Sequence, residues 1–124
     1  MYVAVYGSLR TDSYNYERIQ RIFPGNFEML KTSMLPGFKM YDLGSYPAIV
    51  PSDNEEDEIY VEIMECSKDA FKYIQSMEHG AGYKEKKITI DGYNCTVFYM
   101  DNTPSKAKQI VKGDYIKYCD TEKV

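Results

Sequence analysis

With 124 residues, 44% of them hydrophobic, and a formal net charge of −4, the chain has the size and apolar content of one domain around a single core. The acidic balance, with no Lys/Arg cluster interleaved with aromatics, excludes a nucleic-acid footprint. No apolar run is long enough to span a bilayer and no signal-peptide pattern follows Met1, so no membrane partner and a cytoplasmic location are expected.

Tyr2 to Tyr6 is a β-branched and aromatic run that reads as a buried strand belonging to the fold from the start. It stops at Gly7-Ser8-Leu9. Glycine directly after a strand allows a tight turn with free backbone N–H groups, a natural cradle for a carboxylate or phosphate. An ordinary strand-ending turn has the same sequence. Ser13 caps a short helix in which Tyr16, Ile19 and Phe23 share a face, and Pro24-Gly25 ends it. Asn26 to Met34 reads as a further strand, Pro36-Gly37 as a turn, and Phe38, Met40 and Leu43 lead on to Gly44. Tyr46 to Pro51 is a strand bracketed by prolines, which places it at a sheet edge or barrel rim. The acidic stretch Ser52 to Asp57 reads as a solvated hairpin tip. In Glu58 to Cys66, Ile59, Val61 and Ile63 alternate with Tyr60, Glu62 and Met64.

Ser67 to Tyr83 is an amphipathic helix and its exit. Ala70, Phe71, Ile74 and Met77 share one face, with Lys68, Asp69, Lys72, Gln75 and Ser76 opposite. At about 100° per residue, Glu78 falls on the apolar side, just before Gly80 and Gly82 stop the helix. Apolar surroundings and the negative end of the helix dipole both raise a carboxylate's pKa, which suits a general acid or base. A terminal glutamate can equally fray into solvent. His79, the one histidine, falls just beyond the helix, where a cation complements the dipole; no Ser or Cys motif partners it.

Tyr83 to Ile90 and Tyr93 to Met100 are alternating runs joined by Asp91-Gly92, a strong hairpin signal. Asp101 to Lys106 is a loop, Ala107 to Val111 a helical turn, and Gly113 to Ile116 a short closing segment. The order gives an α+β class with a curled sheet or small barrel, one domain over 1–119 and a polar tail over 120–124. Cys66, Cys95 and Cys119 form no CxxC pattern; they read as reduced thiols, with no metal site.

Four segments in this order resemble the γ-glutamylcyclotransferase-like, or AIG2-like, family. They are VYGSL at Val5 to Leu9, LGSYPAIVPS at Leu43 to Ser52, IYVEIMECS at Ile59 to Ser67, and the helix exit from Ile74 to Tyr83. Gly113-Asp114-Tyr115 is a weaker fifth. The chain departs from the family pattern at Gln75, where an Asp is common; at Val61, where a Gly precedes the retained Glu62; and at Lys84 to Lys87, where an Arg is common.

The resemblance implies a small, mostly antiparallel β-barrel with flanking helices and a pocket near the end of the first strand, with Glu78 as the catalytic acid/base and Tyr6, Gly7, Ser8 and Leu9 holding a γ-glutamyl substrate. Tyr83 and Tyr115 are candidates for further hydrogen bonds in the pocket. The implied reaction closes the γ-glutamyl group of a γ-glutamyl-amine or γ-glutamyl-amino acid to 5-oxoproline and releases the amine. It needs no cofactor. The partner is then a small molecule, the protein a monomer or weak homodimer. Two alternatives share the fold: a non-catalytic protein that binds an anionic metabolite or nucleotide, and an antitoxin or inhibitor acting through its acidic surface.

Overall fold

The first strand, β1 (Tyr2–Val5), lies at the centre of the larger sheet, which is why it carries no outward polar position. The computed structural model describes residues 1–122. After β1 come α1 (Tyr14–Ile22), β2 (Phe27–Pro36), β3 (Phe38–Asp42), β4 (Pro47–Pro51) and β5 (Glu58–Cys66). They are followed by α2 (Lys68–Gly80), β6 (Lys84–Ile90), β7 (Tyr93–Tyr99), β8 (Lys108–Ile110) and α3 (Tyr115–Thr121). The strands form a five-stranded sheet in the order β2-β5-β1-β7-β6 and a three-stranded sheet in the order β4-β3-β8.

Among the described residues, only the β1–β7 pairing is parallel; the other ladders are antiparallel. The large sheet curls until its edges approach. Lys31 of edge strand β2 reaches Asp91, in the turn after the opposite edge strand β6, with Nζ 3.1 Å from Oδ2. No ladder joins β2 to β6, so the barrel is not closed. The smaller sheet packs across the opening. Ile59, Val61 and Ile63 of β5, all fully buried, meet Phe38, Met40, Ile49 and Ile110 from the smaller sheet in one cluster. A backbone bond from Met100 N–H to Ile49 O, 2.9 Å, crosses from the end of β7 to β4.

The outer face of β1 and β5 is covered by α1 and α2. Val3, Val5 and Met64 pack there with Ile19, Phe27, Phe71 and Ile74 in a second cluster. Ser67 caps α2, its hydroxyl accepting from Ala70 N–H at 3.2 Å. Ser13 precedes α1 in extended conformation but makes no side-chain cap. The Asp91-Gly92 link has φ of +50° and +87°, the paired positive values of a type I′ hairpin turn.

Several stretches differ from expectation. Residues 107–111 form no helical turn; Lys108 to Ile110 are strand β8, with Ile110 opposite Met40 on β3. Five residues carry too few periods to separate the two, and the unpaired edge of β3 decides. Ser52 to Asp57 is not a hairpin tip. It crosses from β4 in one sheet to β5 in the other, although residues 53–56 are indeed exposed. The Gly113 segment continues into α3, capped by Asp114, which accepts from Lys117 N–H at 3.2 Å. Asp120 and Thr121, placed in the expected tail, lie within α3; 123 and 124 lie outside the described residues.

Candidate active site

The exit of α2 fixes Glu78 and Tyr83 relative to each other. Gly82, at φ +95°, takes the left-handed position just past the helix. Tyr83 N–H then donates to Glu78 O at 3.0 Å, and Gly82 N–H to His79 O at 3.1 Å. These are the paired bonds of a Schellman motif. Gly80, expected as a stop, is the last helical residue instead. The Glu-to-Tyr spacing is therefore set by backbone geometry, and both side chains turn toward the end of β1.

The turn after β1 is held from the other side. A Cβ added at Gly7 would lie 2.8 Å from Pro47 Cγ and 2.9 Å from its Cδ. The ring is stiff, so glycine is needed for this close approach rather than for an unusual φ. The Tyr83 hydroxyl donates to Pro47 O at 2.6 Å. Pro47 thus joins three distant segments: the Gly7 turn, the start of β4 and the helix exit. The Tyr6 hydroxyl donates to Phe98 O at 2.7 Å, and Asn15 Nδ2 donates to Ser8 Oγ at 2.7 Å.

Between these braces lies a cavity of about 400 Å³, within the range of small-molecule sites. Glu78, Tyr6, Gly7, Ser8, Leu9 and Tyr83 all line it, together with Tyr14, Asn15, Ser45, Tyr46 and apolar neighbours. Tyr115 lies outside this lining; it packs on the main core and stacks with Tyr118 at 6.5 Å between ring centroids. Burial pushes the Glu78 carboxyl up to about 7. Burial also raises the Tyr6 and Tyr83 phenols, and the nearby Glu78 charge raises both further. Near neutrality Tyr6 and Tyr83 are therefore neutral phenols beside a carboxyl that can take or give a proton. Among the described residues, the backbone N–H groups of Gly7, Ser8 and Leu9 donate no hydrogen bond. They remain available to an anionic ligand.

Arg10, which sequence reasoning missed, anchors this turn from below. Its N–H closes the turn onto Gly7 O at 3.0 Å. Its buried guanidinium donates from Nε to Glu62 at 3.0 Å and from Nη1 to Asp114 at 2.8 Å, and lies 4.5 Å from the centre of the Tyr60 ring. Glu62 also accepts from Thr11 N–H at 2.8 Å and Thr11 Oγ1 at 2.7 Å. The Arg10 guanidinium holds the Asp114 carboxyl below its ordinary range, against the raising effect of burial. Gly113 precedes it at φ +66°, where a Cβ would run into Glu58 O and lie 2.8 Å from Ile59 Cα. The Gly-Asp-Tyr segment is thus a backbone crossing followed by an ion-pair anchor. Arg10 directly follows the YGSL run, the one sequence signal that could have marked it.

The departures from the family pattern sit apart from the cavity. Gln75 Nε2 donates to Glu85 Oε1 at 2.6 Å, and His79 Nε2 lies 2.8 Å from the same oxygen. This cluster clamps α2 to β6 beside the pocket but is not in its lining, and Val61 is wholly core. Cys66, Cys95 and Cys119 are free thiols, and burial raises Cys66 and Cys95 to about 11. Among the described residues, no group of three or more His, Cys, Asp or Glu side chains is placed to hold a metal. No helix among them is long and apolar enough to cross a membrane.

The central strand of the curled sheet thus ends in a glycine turn, and a helix-end carboxyl lines the same cavity. The family model described as gamma-glutamyl cyclotransferase, AIG2-like, matches residues 3–117, and the chain belongs to this family. Similar solved structures include an uncharacterized protein, PH0828, from Pyrococcus horikoshii. It is 21% identical, with a TM-score of 0.76 and coverage of 98% of each chain. An AIG2-like protein from Mus musculus is 14% identical with a TM-score of 0.72, covering 91% of this chain and 87% of its own. The protein ytfP from Escherichia coli is 21% identical with a TM-score of 0.73, covering 94% and 96%. At these identities the structural likeness shows the fold. Functionally curated proteins yield no match to this chain.

Proposed function

We propose that the protein is a γ-glutamyl cyclotransferase acting on a γ-glutamyl-amine or γ-glutamyl-amino acid. The observation that carries this reading is Glu78, in the wall of the cavity that the Gly7–Leu9 turn also lines, with its carboxyl raised to about 7 by burial. The substrate's α-ammonium gives a proton to the Glu78 carboxylate. The freed amine attacks the γ-carbonyl carbon and closes a five-membered ring. Backbone N–H groups of the turn take the α-carboxylate or the developing oxyanion. As the bond from the γ-carbon to the departing nitrogen breaks, protonated Glu78 returns its proton to that nitrogen. The ring nitrogen sheds its second proton as the lactam forms and the released amine takes it up, so the products are 5-oxoproline and the amine as its ammonium ion, and Glu78 ends ionised, as it began.

Nucleophile and electrophile belong to one molecule, so the pocket's main task is to hold a folded conformer. Such orientation is worth roughly 7–11 kcal/mol in favourable systems. A carboxyl poised near neutrality serves both proton transfers better than one at its ordinary value. That Gln75, Val61 and Glu85 lie outside the lining supports retention of the chemistry.

The test is incubation of the purified protein with γ-glutamyl-amino acids, γ-glutamyl-amines and glutathione, with 5-oxoproline quantified by mass spectrometry. Release from at least one of them is expected. Thermal protection by such a compound without any 5-oxoproline would replace the reading with a non-catalytic binding protein.

A further inference from the structure

The cavity has two unlike ends. The inner end is closed by buried Tyr6, Gly7, Leu9 and Tyr83 with Glu78 in its wall; the mouth is rimmed by Tyr14 and Tyr46, which are 73% and 41% exposed. Tyr14 is the first residue of α1, and Tyr46 lies in the β3–β4 connection, so the rings approach the mouth from separate elements. Tyr46 already meets Tyr83 at a tilt, with centroids 6.4 Å apart; Tyr14 has no ring partner among the described residues. A large ring left this exposed at the rim of an apolar cavity is a surface awaiting contact. The lining contains no Lys, Arg or His, so what the mouth offers a ligand is ring faces rather than a counter-charge.

Resting on the cyclotransferase reading, we infer that Tyr14 and Tyr46 form the subsite for the departing amine and select one that bears an aromatic ring. The γ-glutamyl head goes inward, because only the inner end has the carboxyl and the free turn amides. The amine substituent then points outward between the two tyrosines. An aromatic ring there extends the tilted Tyr83–Tyr46 contact and covers Tyr14, and both contacts favour offset or edge-to-face geometry. A short alkyl group offers no ring face to either tyrosine.

The experiment compares kcat/KM for three γ-glutamyl amides that differ only in the amine: phenethylamine, ethylamine and 1,4-diaminobutane. The phenethyl compound is expected to be turned over about ten-fold faster than the ethyl one, the scale of one or two aromatic contacts. Tyr14→Ala with Tyr46→Ala should bring that ratio close to one, and Tyr14→Phe with Tyr46→Phe should restore it, because only the hydroxyls are lost. Both positions are on the surface, and far-ultraviolet circular dichroism checks that each variant is folded. A ratio near one in the wild-type protein, or faster turnover of the ammonium-terminated compound, would overturn the subsite while leaving the cyclotransferase reading intact. Absence of 5-oxoproline from all three, and from the amino-acid conjugates, would overturn both.

Discussion

Replacing Glu78 with Gln should stabilise the protein at alkaline pH while removing its chemistry. Burial lifts the Glu78 carboxyl from its ordinary 4.5 to about 7. The native state therefore binds this proton more tightly than the unfolded chain does. Stability contributed by the protonated carboxyl is fully present below about pH 4.5 and is lost as pH rises toward 7. The displacement corresponds to about 3 kcal/mol, a ceiling because the pocket mouth is open to water. Glutamine matches the protonated carboxyl in shape and carries no charge to desolvate. At pH 8, Glu78→Gln should be more stable than the wild type by up to about 3 kcal/mol, or roughly 10 °C in Tm for a chain of this size. At pH 4.5 the gap should shrink to less than about 0.5 kcal/mol. Urea unfolding followed by circular dichroism at both pH values measures it. A gap independent of pH, or a wild type more stable than the variant at pH 8, would refute the placement of Glu78 in a desolvating pocket.

The pocket is held together by close backbone approaches and a buried ion-pair cluster. Gly7→Ala drives a methyl into the Pro47 ring and should destabilise by ~1–3 kcal/mol. Adding Pro47→Ala should recover part of that loss in urea titrations, and failure to recover any would place the strain elsewhere. Gly113→Ala meets Glu58 O in a left-handed conformation and should cost more than Gly7→Ala, measured in the same way. Arg10→Met leaves Glu62 and Asp114 without their buried cation and should destabilise by ~3–5 kcal/mol. Arg10→Lys should recover only part of this, because one ammonium cannot reproduce the Nε and Nη1 contacts together.

The sequence displays those parts of the site that depend on local chemistry. Gly82 marks the helix exit, and the Schellman bonds it permits tie Glu78 to Tyr83 across five residues. The apolar stripe of α2 gave the direction of Glu78. Asp91-Gly92 announced its hairpin, and the prolines of β4 announced a sheet edge. What stayed hidden depends on contacts between distant segments. Arg10 meets partners 52 and 104 positions away, and nothing near it shows that its charge is buried. Gly7 looked like a conformational glycine, whereas its absent side chain makes room for Pro47. Strand β8 is three residues long and exists because β3 needed a neighbour. Gln75 and Glu85 looked like separate departures, yet they bond to each other.

In the proposed cyclisation Glu78 moves the proton. The most direct test of that role is 5-oxoproline release by wild type and Glu78→Gln between pH 5.5 and 8.5. The wild-type kcat/KM should rise with pH through an apparent pKa of about 7, because the free enzyme acts with the ionised carboxylate. The variant should lose roughly 10²–10⁴-fold at every pH and show no inflection near 7. Turnover by Glu78→Gln within a few-fold of wild type, with the inflection retained, would contradict it.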